Sequence, residues 1–542
     1  MSASQGPTVR VTGGEAVARA LAANGADVVF GIPGTHTLAV HGHLARYGIR
    51  HVGVRHEQAA GYAADAYARV TGRPGVALVT SGPGVLNLAS AMAQAYSDSV
   101  PVLVVSAAPR RRGAGVYRGL LHEAKDQRAA CAALVAQSYR PVRAEEVDEM
   151  IALAFASMRA GRPRPVHVEV PADVLEAEGE VPERPTLAPL IAPRSPDEAA
   201  VEAAAAALSG ARHVGIVLGG GAWGCGRRAE ELAEATGALV VTSANGKGIL
   251  DERHPRCLGA GLHLRAVQRW LARCDVVLAV GTELAETDFW GVPPRLGGTL
   301  VRLDADPEQM VRGQRADVAL VGDAARGLFA LLERLGRRRG EGAAGPRALD
   351  PEAASVVAEV RAEGRLLGAR WLSALEEIAA ALGPEAVVAS DTSMVCYNGA
   401  LANLRLGQGS RFLHPTGFAT LGYALPAAIG AAVACPDRPV LALCGDGAFQ
   451  FSLQEVATAA SLRRPLPVVV FDNGGYGEIR EEMASRGFVP QDVDVRLPDL
   501  VLLAAAYGQA GARVASAGDL GRELRAAFGR PQVSLIGVEE ER

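Results

Sequence analysis

Two oxygen-bearing residues, Asp446 and Asn473, lie 27 positions apart in the stretches Cys444-Gly445-Asp446-Gly447-Ala448-Phe449 and Phe471-Asp472-Asn473-Gly474-Gly475-Tyr476-Gly477. Each follows an apolar stretch that reads as a strand, Val440–Cys444 and Val468–Phe471, with a run of mainly helical character between them. Hard oxygen ligands at the carboxyl ends of neighbouring parallel strands can hold one Mg²⁺ against a diphosphate. Asp446, the Asn473 side chain and the Gly475 carbonyl would supply part of a near-octahedral set, with diphosphate oxygens and water completing it. The glycines beside Asp446 let backbone N–H groups approach phosphate oxygens. Gly-Asp-Gly alone would read as a turn. The paired strands, the spacing and the intervening helix are what point to chemistry.

Other candidates are scattered along the chain. Glu57 stands at the start of a helical block, Val54-Arg-His-Glu57-Gln-Ala-Ala-Gly-Tyr-Ala-Ala-Asp-Ala-Tyr-Ala-Arg69. His36 ends the loop Gly31-Ile-Pro-Gly-Thr-His36, and His122 lies in Gly119-Leu-Leu-His122-Glu123, so either imidazole could donate or accept a proton. Glu478 comes five positions after Asn473, in Gly475-Tyr-Gly-Glu478-Ile-Arg480, where a carboxylate would pair with a cation or shuttle a proton. A further apolar segment runs Phe412-Leu-His-Pro-Thr-Gly-Phe-Ala419-Thr-Leu421-Gly-Tyr-Ala-Leu-Pro-Ala-Ala-Ile-Gly430.

Together these blocks resemble the thiamine-diphosphate-dependent enzymes of the acetolactate synthase and 2-oxo acid decarboxylase superfamily, over nearly the whole chain. The resemblance implies thiamine diphosphate and Mg²⁺ as cofactors, with Asp446, Asn473 and Gly475 on the metal. It puts Gly445, Gly447, Ala448, Tyr476, Gly477 and Ser393 on the diphosphate side of the cofactor, and Thr35, Thr80 and Asn87 elsewhere around it. Glu57 falls on the glutamate that bonds the pyrimidine N1′ and promotes the tautomer that deprotonates thiazolium C2; burial beside a ring would raise its pKa. Leu421 falls on the apolar wedge between the two cofactor rings, and Ala419 where a carbonyl receives the 4′-amino group, a position where glycine is common. In this family the glutamate and the diphosphate site come from different subunits, so the resemblance implies a homo-oligomer, dimer or tetramer.

Substrate is read from three departures. Acetolactate synthases carry an Arg-Phe-Asp-Asp-Arg-like segment tied to FAD; here the stretch is Val280-Gly-Thr-Glu-Leu-Ala-Glu-Thr-Asp-Phe-Trp290, which weighs against FAD and against that activity. The position of Glu478 is apolar in acetolactate synthases and simple decarboxylases. With the His36 and His122 loops, Asp126-Gln-Arg128 and Arg162-Pro-Arg-Pro-Val-His-Val-Glu-Val-Pro171, Glu478 resembles the 5-guanidino-2-oxopentanoate decarboxylase branch. A guanidinium substrate would give Glu478 a bidentate partner. Ala39 falls where that branch would carry an acidic residue, so the match is incomplete. The expected reaction is decarboxylation of a polar or cationic 2-oxo acid through a C2-enamine, with electrons held by the cofactor. Carboligation in the manner of acetolactate synthase is the alternative, and a non-catalytic cofactor-binding subunit a minor one.

The elements that must position these residues follow a regular plan. A chain of 542 residues exceeds one hydrophobic core. Short apolar strands such as Val76–Val79, Val102–Val105 and Val166–Val170 alternate with helical stretches such as Gly14–Leu21, which predicts an α/β architecture with parallel sheets. The resemblance divides it into three doubly wound domains, a pyrimidine-binding domain at 8–178, a central domain at 197–335 and a diphosphate- and Mg-binding domain at 365–542. A Pro-rich linker spans Val181–Pro196, and a charged, Gly-rich one spans Arg337–Gly345.

Composition adds exclusions. The formal charge of −4 offers no footing for nucleic acid or an anionic membrane. No uninterrupted apolar run reaches the roughly 18 to 20 residues that span a bilayer. The seven cysteines are odd in number and lack metal-ligand spacing, which fits reduced thiols. Met1–Pro7 carries no basic or apolar leader, so a cytoplasmic location is expected.

Overall fold

The computed structural model describes residues 7–112, 116–339 and 349–540. It forms two compact units. The first holds the described residues up to Ile191 together with Gly417–Asp437 and Phe451–Arg464; the second holds Ala192–Thr416, Arg438–Gln450 and the chain from Pro465.

In the first unit the strands are β1 (Thr8–Thr12), β2 (Val28–Gly31), β3 (Arg50–Gly53), β4 (Gly75–Val79), β5 (Val102–Ala108), β6 (Gln137–Tyr139), β7 (Val166–Pro171) and β8 (Glu178–Pro182). Six of them form a parallel sheet in the order β3-β2-β4-β5-β7-β6, while β1 and β8 pair antiparallel. Strands β4 and β5 are buried along their whole length. Their near-continuous Val, Leu and Ala reflect helices covering both faces of a parallel sheet.

Helix Glu57–Thr71 begins where the His56 imidazole accepts the Gln58 N–H and ends at Gly72, whose φ of 69° suits a left-handed cap. Its Ala-rich face packs on helix Ala424–Ala434 at very close range. A Cβ on Gly430 would stand 2.1 Å from the Ala63 carbonyl oxygen, so only glycine allows the approach.

The second unit carries a five-stranded parallel sheet, β9 (Val214–Leu218), β10 (Leu239–Thr242), β11 (Val276–Val280), β12 (Thr299–Asp304) and β13 (Val318–Val321), in the order β10-β9-β11-β12-β13. Its other sheet comprises β14 (Val387–Ser390), β15 (Arg411–Leu413), β16 (Val440–Gly445), β17 (Leu466–Asp472), β18 (Ala510–Val514) and β19 (Val533–Glu539). That order, β15-β14-β16-β17-β19-β18, repeats the first sheet's connectivity strand for strand. All three sheets are parallel and flanked by helices, as an α/β reading requires. In such sheets ligands sit outside the carboxyl ends of the strands where the order reverses. Those reversals fall between β2 and β4, between β9 and β11, and between β14 and β16.

The central reversal is filled by backbone. The Gly221 N–H donates to the Gly281 carbonyl at 3.0 Å, and a Cβ on Gly219 would lie 2.2 Å from that same oxygen. The Gly219–Gly221 run therefore has a packing reason for its glycines. Part of the Val181–Pro196 linker is structured, since Val181 and Pro182 belong to β8. Of the second linker, Arg337–Arg339 continues helix Ala324–Arg339; the rest lies outside the described residues, as do residues 1–6 of the leader reading. None of the seven cysteines forms a disulfide. Among the described residues no helix is long and apolar enough to cross a membrane.

Candidate active site

The carboxyl ends of β16 and β17 bring Asp446 and Asn473 together in the second unit. Asp446 is buried, and among the described residues its Oδ2 has no hydrogen-bond partner, nor has the buried Asn473 Oδ1. Its carboxyl receives the Gly447 and Gly475 N–H groups, while burial first, and Asp472 alongside second, push its pKa up to about 7. Unsatisfied buried oxygens are costly, and two of them on adjacent loops form a donor set that a hard cation would complete. A divalent charge there would also favour the ionised carboxylate. The residues present therefore fit a metal.

Glycines shape this loop. A Cβ on Gly447 would stand 3.0 Å from the Tyr476 ring and 3.5 Å from the Gly475 carbonyl oxygen, so that carbonyl faces the Asp446 turn. Gly475 has φ of 133°, and a Cβ there would meet the Val493 carbonyl at 2.2 Å. On Gly477 a Cβ would lie 2.6 Å from the Asn473 Nδ2. Ser393 Oγ accepts the Gly445 N–H at 2.9 Å, and Ala448 is buried in the following turn. Arg480 escaped the sequence reading. Its guanidinium donates to the Gly474 carbonyl at 3.0 Å, the Asn473 carbonyl at 3.4 Å and Asp494 Oδ1 at 2.7 Å, clamping the loop from behind. The signal was present in the last residue of the motif, but only the loop's curvature gives it meaning.

Glu478 lies in the first turn of helix Gly477–Ser485 with its side chain exposed. The Tyr397 hydroxyl, on the π-helical turn Val395–Ala400, donates to Glu478 Oε2 at 2.9 Å. Burial and the Glu478 charge push the Tyr397 phenol well above its usual range.

The first unit gathers the other candidates around the β2–β4 reversal. Glu57 is half-buried rather than enclosed, and its Oε2 accepts the exposed Asn87 amide at 2.9 Å. Thr80, just after β4, is buried, with no hydrogen-bond partner for its Oγ1 among the described residues, whereas Thr35 is exposed. His36 Nδ1 lies 3.1 Å from Ser81 Oγ, and the His36 and His122 rings are 5.4 Å apart. Burial, then the neighbouring His122, lowers the His36 pKa. His122 has φ of 61°, and its buried Nδ1 has no hydrogen-bond partner among the described residues.

Leu421 is half-buried and Ala419 exposed, with a left-handed φ of 54° at Ala419. Their segment is tied to the Glu57 helix by a network that sequence reasoning missed. Asp98 Oδ1 accepts the Gly417 N–H at 3.0 Å, Tyr62 bonds Thr420, and Tyr423 donates to Asp65. Arg69 joins Asp65 at 2.7 Å and Asp98 at 2.9 Å, all deeply buried. Such isolated buried charges persist only when paired.

Three family models match the chain: the thiamine pyrophosphate enzyme N-terminal TPP binding domain over residues 11–130, the central domain over 201–334, and the C-terminal TPP binding domain over 393–538. The chain is 43% identical over 538 residues to the probable 2-ketoarginine decarboxylase AruI of Pseudomonas aeruginosa, covering 98% of this chain and 94% of that one. It is 30% identical over 565 residues to the acetolactate synthase large subunit of Parasynechococcus marenigrum, covering 98% and 88%. Over 532 residues it is 32% identical to the acetolactate synthase large subunit IlvB1 of Mycobacterium tuberculosis, covering 93% and 84%.

Proposed function

The chain belongs to the thiamine pyrophosphate enzymes, and from that membership we propose that it decarboxylates a 2-oxo acid ending in a guanidinium group, 5-guanidino-2-oxopentanoate or a close analogue. The observation that carries the substrate is Glu478, an exposed carboxylate just beyond the Asp446–Asn473 loops whose hydrogen-bond partner is the Tyr397 hydroxyl. The name of the Pseudomonas relative supports the same class. Thiamine diphosphate, when bound, would supply a nucleophilic carbon for the 2-carbonyl and a cationic thiazolium ring as the sink for the electron pair released as CO₂ departs.

The chain's own residues divide the remaining work. Asp446, Asn473 Oδ1 and the Gly475 carbonyl would hold Mg²⁺, and the backbone at Gly445, Gly447 and Ala448, with Ser393, Tyr476 and Gly477, would shape the diphosphate cradle. Glu57, oriented by Asn87, would hold a proton against a cofactor ring nitrogen. Ala419 would offer its carbonyl to an amino group, Leu421 would set the bend between rings, and Thr35 and Thr80 would border the same face. His36 keeps Nδ1 toward Ser81, which leaves Nε2 to move a proton at neutral pH, and His122 would act beside it. Glu478 would receive the guanidinium. We further propose a homodimer or homotetramer in the cytoplasm, with domains at 8–178, 197–335 and 365–542. Carboligation is the second reading, favoured by the acetolactate synthase relatives.

The test is a panel of 2-oxo acids scored for CO₂ and for product. Wild type should prefer the guanidino acid to a neutral acid of equal length, and Glu57→Gln should lose CO₂ release on every substrate. Glu478→Gln should cost the guanidino acid roughly 10-fold in kcat/KM, the low end for an exposed charge-assisted pair, and spare the neutral one. Acetolactate from pyruvate as the sole product would overturn the proposal.

A further inference from the structure

The Glu478 carboxylate does not stand alone. Tyr397, which donates to it at 2.9 Å, also lies edge-to-face with Trp290, ring centroids 6.0 Å apart and planes at 85°. Trp290 in turn stacks on the His263 imidazole at 4.1 Å. Trp290 comes from the turn that closes Glu286–Phe289 and Tyr397 from Val395–Ala400, so residues distant in sequence form one row of rings that ends, through the Tyr397 hydroxyl, at the Glu478 carboxylate.

Two features set this wall apart from ordinary packing. Trp290 is 47% exposed, whereas Trp270 is 7% and Trp371 2% exposed. An indole held with one face stacked and close to half its surface open has shape but no apolar partner covering it. Charge points the same way. Along helix Gly477–Ser485, Glu481 is paired with Arg370 and Glu482 with Arg486, but among the described residues Glu478 has no cationic partner. Behind the indole, His263 is only 9% exposed with an unpartnered Nε2, and burial lowers its pKa to about 4, so it adds no positive charge at pH 7.

We infer that Trp290, with Tyr397, forms an aromatic recognition face beside Glu478 for a flat delocalised cation, which makes Trp290 a specificity-determining residue for the substrate's guanidinium end. This rests on the reading of Glu478 given above. A guanidinium can bond a carboxylate in its own plane while its flat face lies on an aromatic ring, which an ammonium cannot match.

The experiment compares wild type, Trp290→Leu, Trp290→Phe and Glu478→Gln on 5-guanidino-2-oxopentanoate and on 2-oxohexanoate, with calorimetric binding of 5-guanidinopentanoate, which lacks the reacting carbonyl. Trp290→Leu should raise KM for the guanidino acid and weaken 5-guanidinopentanoate binding by about 3- to 30-fold, the range of a cation–π contact, with kcat and the neutral acid moved less. Trp290→Phe should fall between, and it keeps the comparison available if the leucine variant folds poorly. Wild type that shows no preference for the guanidino acid would sink the substrate reading itself. Wild type that shows the preference, with both Trp290 variants retaining it in full, would overturn the role of Trp290 and leave that reading standing.

Discussion

Arg480→Met removes the clamp behind the Asn473–Gly475 loop while leaving every proposed ligand residue in place. The guanidinium makes one well-formed bond to the Gly474 carbonyl at 3.0 Å and a long one to Asn473 at 3.4 Å. Shielded bonds from a charged donor contribute about 1.5 to 3 kcal/mol each. The Arg480 side chain is 28% exposed, which favours the low end, and the long bond is worth about half of a good one, giving roughly 2 kcal/mol for the two. The Asp494 pair adds at most about 1 kcal/mol because Asp494 is 80% exposed. A loop that must be ordered to present the Asn473 oxygen and the Gly475 carbonyl then loses about 2 to 3 kcal/mol of preorganisation, which corresponds to roughly 30- to 150-fold in cofactor affinity. Titration of the apo protein with thiamine diphosphate at fixed Mg²⁺, followed by recovered CO₂ release, reads this directly. At saturating cofactor, kcat should recover most of its wild-type value, and Arg480→Lys should lie between. A cofactor affinity within about threefold of wild type, with the variant folded, would refute the clamp.

Ala419→Gly should stabilise the first unit by about 0.5 to 1 kcal/mol, because glycine relieves the roughly 1 to 2 kcal/mol cost of a side chain at φ of 54° but loses backbone entropy on folding; the denaturant midpoint reads it, and a lower midpoint would contradict the strain argument. Burial lowers His167 to about 3 and His263 to about 4, below the unfolded value near 6.5, so the contribution each makes to its own unit is complete above pH 6.5 and is lost as the pH falls toward the folded value. Between pH 6 and 5, roughly 1.4 kcal/mol per pH unit should go from each, and His167→Asn should flatten the urea-midpoint slope of the first unit; an unaltered slope would count against the linkage.

Much of this was readable in the linear chain, and the limits of that reading are physical. The strands announced themselves as β-branched runs because parallel sheets bury both faces, and Asp446 and Asn473 follow the carboxyl ends of two of them. The Asp65–Arg69–Asp98–Tyr423 network did not, because its partners come from separate stretches of chain and no local pattern marks an arginine that is buried among acids. Arg480, Tyr397 and Trp290 share that difficulty: each gains its meaning from which carbonyl, carboxylate or ring the fold brings to it. Asp472 is an intermediate case. It sits beside Asn473, and its carboxylate accepts the Gly474 N–H at 3.0 Å and lies against Asp446.

Helix Ala424–Ala434, seated on Ala63 through Gly430, and the stretch Phe451–Arg464 belong to the first unit although they are encoded more than two hundred residues after its other parts. During synthesis, then, the apolar flank of helix Glu57–Thr71 emerges long before its permanent cover exists. Early translation yields a fragment with an open seam, and ribosome-stalled chains ending before residue 417 should bind holdase chaperones that chains ending after residue 464 release.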